Sequence, residues 1–154
     1  MGMVEGKICL VTGGASNPGL GHAIAHKLAS EGATVIVTDV DGEGAARTAA
    51  EIQEAGGRAQ AWEQDVTDEA VWDSTMAQIR DEHGRLDALI NNAGIAILKT
   101  LPELSLADYN RQMLVNTVSY THLRAHETRE DRERRLVRVK KKEVGGGGGG
   151  GGGG

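Results

Sequence analysis

A doubly wound α/β fold on a parallel sheet follows from three features of the sequence. Apolar β-branched runs alternate with helical periodicity, a glycine-rich turn closes the first run, and an acidic residue ends the second. Lys7-Ile-Cys-Leu-Val-Thr12 is a short apolar run stopped by Gly13-Gly14, which predicts a buried strand. Leu20, Ile24 and Leu28 recur at fours, with Ala23, Ala25 and Ala29 beside them; this predicts a helix that Gly32 ends. Thr34-Val-Ile-Val-Thr38 is β-branched throughout, a second buried strand. Asp41 is placed to cap the next helix, whose Ala45, Ala49 and Ile52 form one face, and Gly56-Gly57 stop it.

A weaker strand follows at residues 59–63. Thr67 or Asp68 caps a third helix that sets Trp72, Met76 and Ile79 on one side and ends at Gly84. Residues 86–90 read as a fourth strand. Ser105 opens a last helix to about Thr117, and Ser105-Leu-Ala-Asp108 resembles a capping box. Right-handed crossovers then give helices on both faces and the strand order 3-2-1-4, the first half of a Rossmann fold.

Composition divides the chain in two. Residues 1–117 carry a net charge of -9 and residues 118–154 a net charge of +4, and ten of the 23 glycines form one block, Gly145 to Gly154. The acidic part argues against a nucleic-acid or phospholipid surface. Cys9 has no partner for an intrachain disulfide and sits in an apolar run, so it reads as a buried thiol in a reducing, cytoplasmic setting. Residues 1–13 make a poor signal peptide and are too short to span a membrane.

The turn Thr12-Gly-Gly-Ala-Ser-Asn-Pro-Gly-Leu-Gly21 lies between the first strand and the first helix. Glycines there permit a tight turn and close approach of backbone to a pyrophosphate. The helix N-terminus adds unpaired N–H groups and partial positive charge. The same glycines in an ordinary loop would mean little; the strand–turn–helix context gives them weight. Asp39 ends the second strand, 18 residues after Gly21, where a carboxylate can accept hydrogen bonds from an adenosine ribose diol and repel a 2′-phosphate. No Lys or Arg lies between Lys27 and Arg47 to neutralise such a phosphate, which favours NAD over NADP. No metal-ligand set is assigned.

Three further pieces join the loop: Asp65-Val66 after the third strand, Asn91-Asn-Ala-Gly94 after the fourth, and Asn116 in the helix that follows. Together they resemble the short-chain dehydrogenase/reductase family from Lys7 to about Thr117, and Asn-Asn-Ala-Gly in this place is the most specific piece. The resemblance implies that Gly13, Gly19 and Gly21 shape the pyrophosphate loop, with Ser16, Asn17 and Leu20 beside the phosphates. It implies that Asp65 meets the adenine amino group and Val66 uses its backbone there. Asn92, Ala93 and Gly94 would line the nicotinamide-side ribose. Asn116 would kink its helix and hold a water in the proton relay; from the residues alone it is an unusual polar side chain among Leu114, Val115 and Val118, consistent with a satisfied, buried structural asparagine. The loop departs from the family pattern: five residues, not three, separate Gly13 from Gly19, the extra pair being Asn17-Pro18.

The family's proton-transfer pair, Tyr-x-x-x-Lys, occurs nowhere in the sequence. Tyr120 with Arg124 is no substitute, because it follows Asn116 too soon and an arginine pKa is too high for an adjustable partner. The chain as written is therefore expected to be inactive, a fragment whose parent is a homo-oligomer acting on an alcohol or ketone. A non-catalytic NAD-binding regulator is the alternative, and a nucleotide-free interaction module a third reading. From Val118 the helix pattern breaks. Val118-Ser-Tyr-Thr-His-Leu-Arg-Ala-His-Glu-Thr128 resembles the translated transposase-end adapter of a sequencing library, and the glycine block resembles repeated GGG codons. Residues 118–154 are expected to be a non-native or disordered tail on a truncated dinucleotide-binding domain, 1–117.

Overall fold

A computed structural model describes residues 2–118. The readings made for Tyr120, Arg124 and the tail from 119 onward fall outside the described residues. In chain order the elements are β1 (Ile8–Thr12), α1 (Leu20–Ser30), β2 (Thr34–Asp39), α2 (Gly42–Glu54), β3 (Arg58–Glu63), α3 (Glu69–His83), β4 (Ala88–Ile90) and α4 (Leu106–Met113), with a single 3-10 turn at Leu101–Glu103 and a π turn at Leu114–Val118. The sheet is parallel with order β3-β2-β1-β4, as expected, with Leu10 opposite Ile36 on one side and Leu89 on the other.

The β-branched runs became strands because they are buried on both faces. All five residues of β1 are buried, as are Val35 to Thr38 of β2. On one face Cys9, Val11, Val35, Val37 and Ala59 pack with Ala25 and Ala29 of α1 and Ala45, Ala49 and Ile52 of α2. The helical partners are mostly alanines, which lets both helices sit close to the sheet. Leu10 and Ile36 alternate to the opposite face, where a right-handed crossover carries α3; there Trp72 and Ile79 are buried, and the Trp72 Nε1–H donates to the Val66 carbonyl at 2.9 Å. Cys9 is fully buried, and that burial, aided by the Asp87 carboxylate, pushes its thiol pKa up.

The caps fall where the sequence placed them. Asp41 accepts from Gly44 N, and Asp68, not Thr67, caps α3 by accepting from Ala70 N and Val71 N. Gly84 closes α3 in the left-handed region at φ 73°. At α4, Ser105 Oγ accepts from Asp108 N and the Asp108 carboxylate accepts from Ser105 N, a complete capping box.

Two boundaries differ from the sequence reading by two residues or more. β4 begins at Ala88 rather than residue 86, because Asp87 spends its side chain on a clamp. Its carboxylate accepts from Ile8 N at 2.9 Å, from Lys7 Nζ at 3.1 Å and from Arg85 Nε at 2.9 Å. The last α-helix stops at Met113, where the backbone widens into the π turn that contains Asn116. None of the residues of α4 is buried, and Leu98, Leu101 and Leu106 are largely exposed.

The Asp87 clamp makes stability depend on pH. These bonds to the charged form hold the Asp87 carboxyl down from 3.8 to about 2, the Ile8 N–H being the largest cause. A depressed folded pKa gives stability that is present in full above the unfolded value and lost as pH falls through the folded one. Asp87→Asn is expected to lower stability at pH 7 by about 1–2 kcal/mol. It is also expected to flatten the wild-type loss between about pH 4 and pH 2, read from urea midpoints across that range. An unchanged acid limb would remove the clamp from the account.

Candidate functional site

The C-terminal ends of β1, β2 and β4 converge on the glycine-rich turn, and its base is pinned from every side. Gly13 O accepts from Asn92 Nδ2 at 2.9 Å. Gly14 N donates to the Thr38 carbonyl and Gly14 O accepts from Thr48 Oγ1. Ala15 N donates to Asp39 Oδ2 at 3.0 Å. Beyond Ala15 the crest is open: Ser16, Asn17 and Pro18 are exposed and the Asn17–Pro18 peptide is cis. The two extra residues therefore lie in the crest, outside the pinned base. Leu20, the first residue of α1, is also exposed.

Gly13 and Gly21 are among the glycines this geometry requires. Gly13 sits at φ 70°, and a Cβ there would come within 2.7 Å of Ala93 Cα. A Cβ on Gly21 would strike the Gly13 carbonyl and lie 2.5 Å from Asn92 Nδ2. Gly19 caps α1 and, having no side chain, supplies no acceptor to the first amides of that helix. A helix N-terminus without a side-chain cap, directly following the crest in the chain, is an arrangement that accommodates an anion.

Asp39 binds with both oxygens, Oδ2 to Ala15 N and Oδ1 to Asp41 N at 3.1 Å. An ionised carboxylate offers about four lone-pair directions, so each oxygen keeps one for a further donor. Arg47, the first cation after Lys27, turns onto Asp41 at 3.5 Å. Both side chains are mostly exposed, so this is a surface ion pair beside the cap of α2, which sequence distance alone did not show.

The Asn-Asn-Ala-Gly segment follows β4. Asn92 Nδ2 donates to the carbonyls of Thr12 and Gly13, and the backbone amides of Asn92 and Ala93 both donate to Thr12 Oγ1 at 3.1 Å. Thr12 Oγ1 in turn donates to the Ile90 carbonyl. Thr12, 1% exposed, is the residue the sequence reading missed. A hydroxyl residue ending an apolar strand beside a glycine turn was its visible signal. Gly94 lies against Asn116, where a Cβ would stand 3.2 Å from Oδ1.

Asn116 corrects the sequence reading in one respect. It is exposed, not buried, and follows a helix, α4, in which no residue is buried. Its amide is nonetheless committed at both ends: Oδ1 accepts from Ile95 N at 2.9 Å and Nδ2 donates to Ile95 O at 3.0 Å. Asp65 is exposed and its Oδ1 accepts from Thr67 N and Thr67 Oγ1 in a tight turn before α3. Val66 is buried, and its carbonyl is taken by Trp72.

Fold and turn define the N-terminal half of a Rossmann-type α/β domain. The family model described as short chain dehydrogenase matches residues 7–135, so the match passes Thr117, and the chain belongs to that family. It is 43% identical over 119 residues to the cyclopentanol dehydrogenase of Comamonas testosteroni, covering 77% of this chain and 47% of that protein. It is 38% identical over 113 residues to the D-threitol dehydrogenase of Mycolicibacterium smegmatis, covering 73% and 43%. A hydroxysteroid dehydrogenase crystal structure from Escherichia coli superposes with a TM-score of 0.72 at 33% identity, over 78% of this chain and 50% of that one. A short chain dehydrogenase from Mycobacterium smegmatis gives 0.74 at 30% identity, over 79% and 51%. The chain spans about half the length of the relatives it matches. Among the described residues, no helix is long and apolar enough to cross a membrane.

Proposed function

We propose that residues 1–117 are the cofactor half of an NAD-dependent short-chain oxidoreductase whose substrate is a small alcohol or ketone. The observation that carries the reading is the placement of Asp39, hydrogen-bonded to the glycine turn through Ala15 while keeping acceptor capacity on both oxygens. A ribose diol would satisfy that capacity; a 2′-phosphate would be repelled by the carboxylates of Asp39 and Asp41, the latter in a surface ion pair with Arg47.

Bound NAD supplies the nicotinamide carbon that gives or takes the hydride. The chain supplies position. Gly13, Gly19 and Gly21 keep side chains out of the pyrophosphate path, with Ser16, Asn17 and Leu20 at its rim. Asp65, whose Oδ1 already accepts from Thr67, would meet the adenine amino group; Val66, its carbonyl taken by Trp72, would offer its N–H. Asn92, Ala93 and Gly94 hold the nicotinamide-side ribose. Asn116 fixes the Ile95 backbone and would hold a water of the proton relay. In this reading the parent is a cytoplasmic homo-oligomer without a nucleic-acid or membrane partner.

The 154-residue chain lacks Tyr-x-x-x-Lys, so it is expected to show no NAD-dependent oxidation of any alcohol. Turnover above a denatured control would contradict that. That missing motif is also what favours the second reading, a non-catalytic NAD-binding regulator. Sequencing the source DNA across codon 117 in one long read separates the two. A frame running on to a serine, Tyr-x-x-x-Lys and further strands supports the enzyme and makes 118–154 adapter sequence. Genomic codons for Val118 to Gly154 would support the regulator.

A further inference from the structure

Away from the glycine turn, three side chains converge where α1 meets α2. His22 and His26 stand one helical turn apart on α1, and Glu51 projects from α2. The ring centroids of the two histidines lie 4.4 Å apart. Both Nε2 atoms address the same carboxylate oxygen, Glu51 Oε2, at 2.7 Å from His22 and 3.3 Å from His26. Only the first has hydrogen-bond geometry. His26 Nε2 is shielded from solvent with no hydrogen-bond partner among the described residues, a costly condition for a polar atom.

We propose that His22, His26 and Glu51 form a binding site for a divalent transition-metal ion, Zn2+ foremost. The three donor atoms already lie within 4.8 Å of one another. Ligands about 2.0–2.1 Å from a tetrahedral zinc stand roughly 3.3 Å apart, so small side-chain movements close the set. Two imidazoles and one carboxylate suit Zn2+ rather than Ca2+ or Mg2+, which take oxygen ligands. The ion takes the place of the hydrogen between His22 Nε2 and Glu51; that proton moves to the ring Nδ1, or to solvent where Nδ1 already carries one, and His26 Nε2 gains a bond in place of its present 3.3 Å contact without hydrogen-bond geometry. The Glu51 side chain is 43% exposed, so water completes the fourth position. The ion would staple α1, whose first turn faces the glycine turn, to α2. Sequence reading assigned no metal because the third ligand comes from another helix, 25 residues beyond His26.

His122 and His126 are also spaced by four, so the test uses the full chain carrying His122→Ala and His126→Ala. Zn2+ is titrated against a chromophoric chelator, and Co2+ is added for its visible absorption. The expected result is one equivalent bound, at least tenfold more tightly than by His26→Gln or Glu51→Gln in the same background, with tetrahedral Co2+ bands that both variants lose. A readout independent of those variants is line broadening of histidine ring protons by substoichiometric Co2+. His22 and His26 should broaden before His83. Equal affinity in the variants, or broadening of His83 to the same degree, would overturn the proposal.

Discussion

Gly13→Ala is expected to destabilise the domain by about 3 kcal/mol or more. Two costs add. The left-handed conformation at φ 70° penalises any Cβ, and this Cβ lands 2.7 Å from Ala93 Cα and 2.9 Å from Ala93 N. Those are backbone atoms, fixed by the bonds from Asn92 and Ala93 to Thr12, so they cannot swing aside as a flexible side chain would. Relief requires β1 and the Asn-Asn-Ala-Gly segment to separate, which also opens the turn that the cofactor reading depends on. The check is thermal unfolding followed by circular dichroism, with a fall in Tm of more than about 10 °C expected. A Tm within about 3 °C of the parent would mean that the turn is not held against β4 in this way. Gly56→Ala is the control, because Gly56 shares the positive φ (83°) but has nothing within 4 Å of its Cβ position. It should pay only the conformational cost.

Thr12→Val is the second large effect. The substitution keeps shape and removes one hydroxyl, yet that hydroxyl accepts from two backbone amides and donates to a carbonyl. With Thr12 1% exposed, Ala93 N is left without its acceptor, Asn92 N keeps only the Ile90 carbonyl, and the Ile90 carbonyl loses a donor, each lost partner at about 1–2 kcal/mol. A loss of about 2–4 kcal/mol is expected in urea midpoints. Thr12→Ser should recover most of it, paying only for a buried methyl group, about 1 kcal/mol. If valine and serine cost the same, the hydroxyl network is not what joins β1 to the segment after β4.

Much of this was legible in the sequence because one property marked it at a time. Val35, Ile36 and Val37 declare a buried strand by branching at Cβ. Asp41 and Ser105 declare caps by residue type and position, and Gly84 marks the end of α3. What stayed hidden was pairing between elements distant along the chain. Leu86 and Asp87 look like strand, but the Asp87 carboxylate is drawn to Lys7, Ile8 and Arg85, so pairing begins later. Thr12 reads as the end of a strand until Asn92 and Ala93, 80 residues on, converge on its hydroxyl. Arg47 appears remote from Asp39 in sequence, yet reaches the neighbouring Asp41 from within α2. The exposure of Asn116 could not be read either, since it depends on what packs over α4.

The central claim is that the turn and Asp39 select NAD. It is tested most directly by titrating the 15N-labelled chain with NAD and with NADP and following backbone amides by NMR, which detects binding even at millimolar affinity. NAD is expected to shift the amides of Gly13, Ala15, Gly19, Gly21 and Asn92 in a saturable way. NADP should bind at least tenfold more weakly, and Asp39→Ala should weaken NAD while narrowing that difference. Equal binding of the two nucleotides, or NAD shifts unaffected by Asp39→Ala, would contradict it.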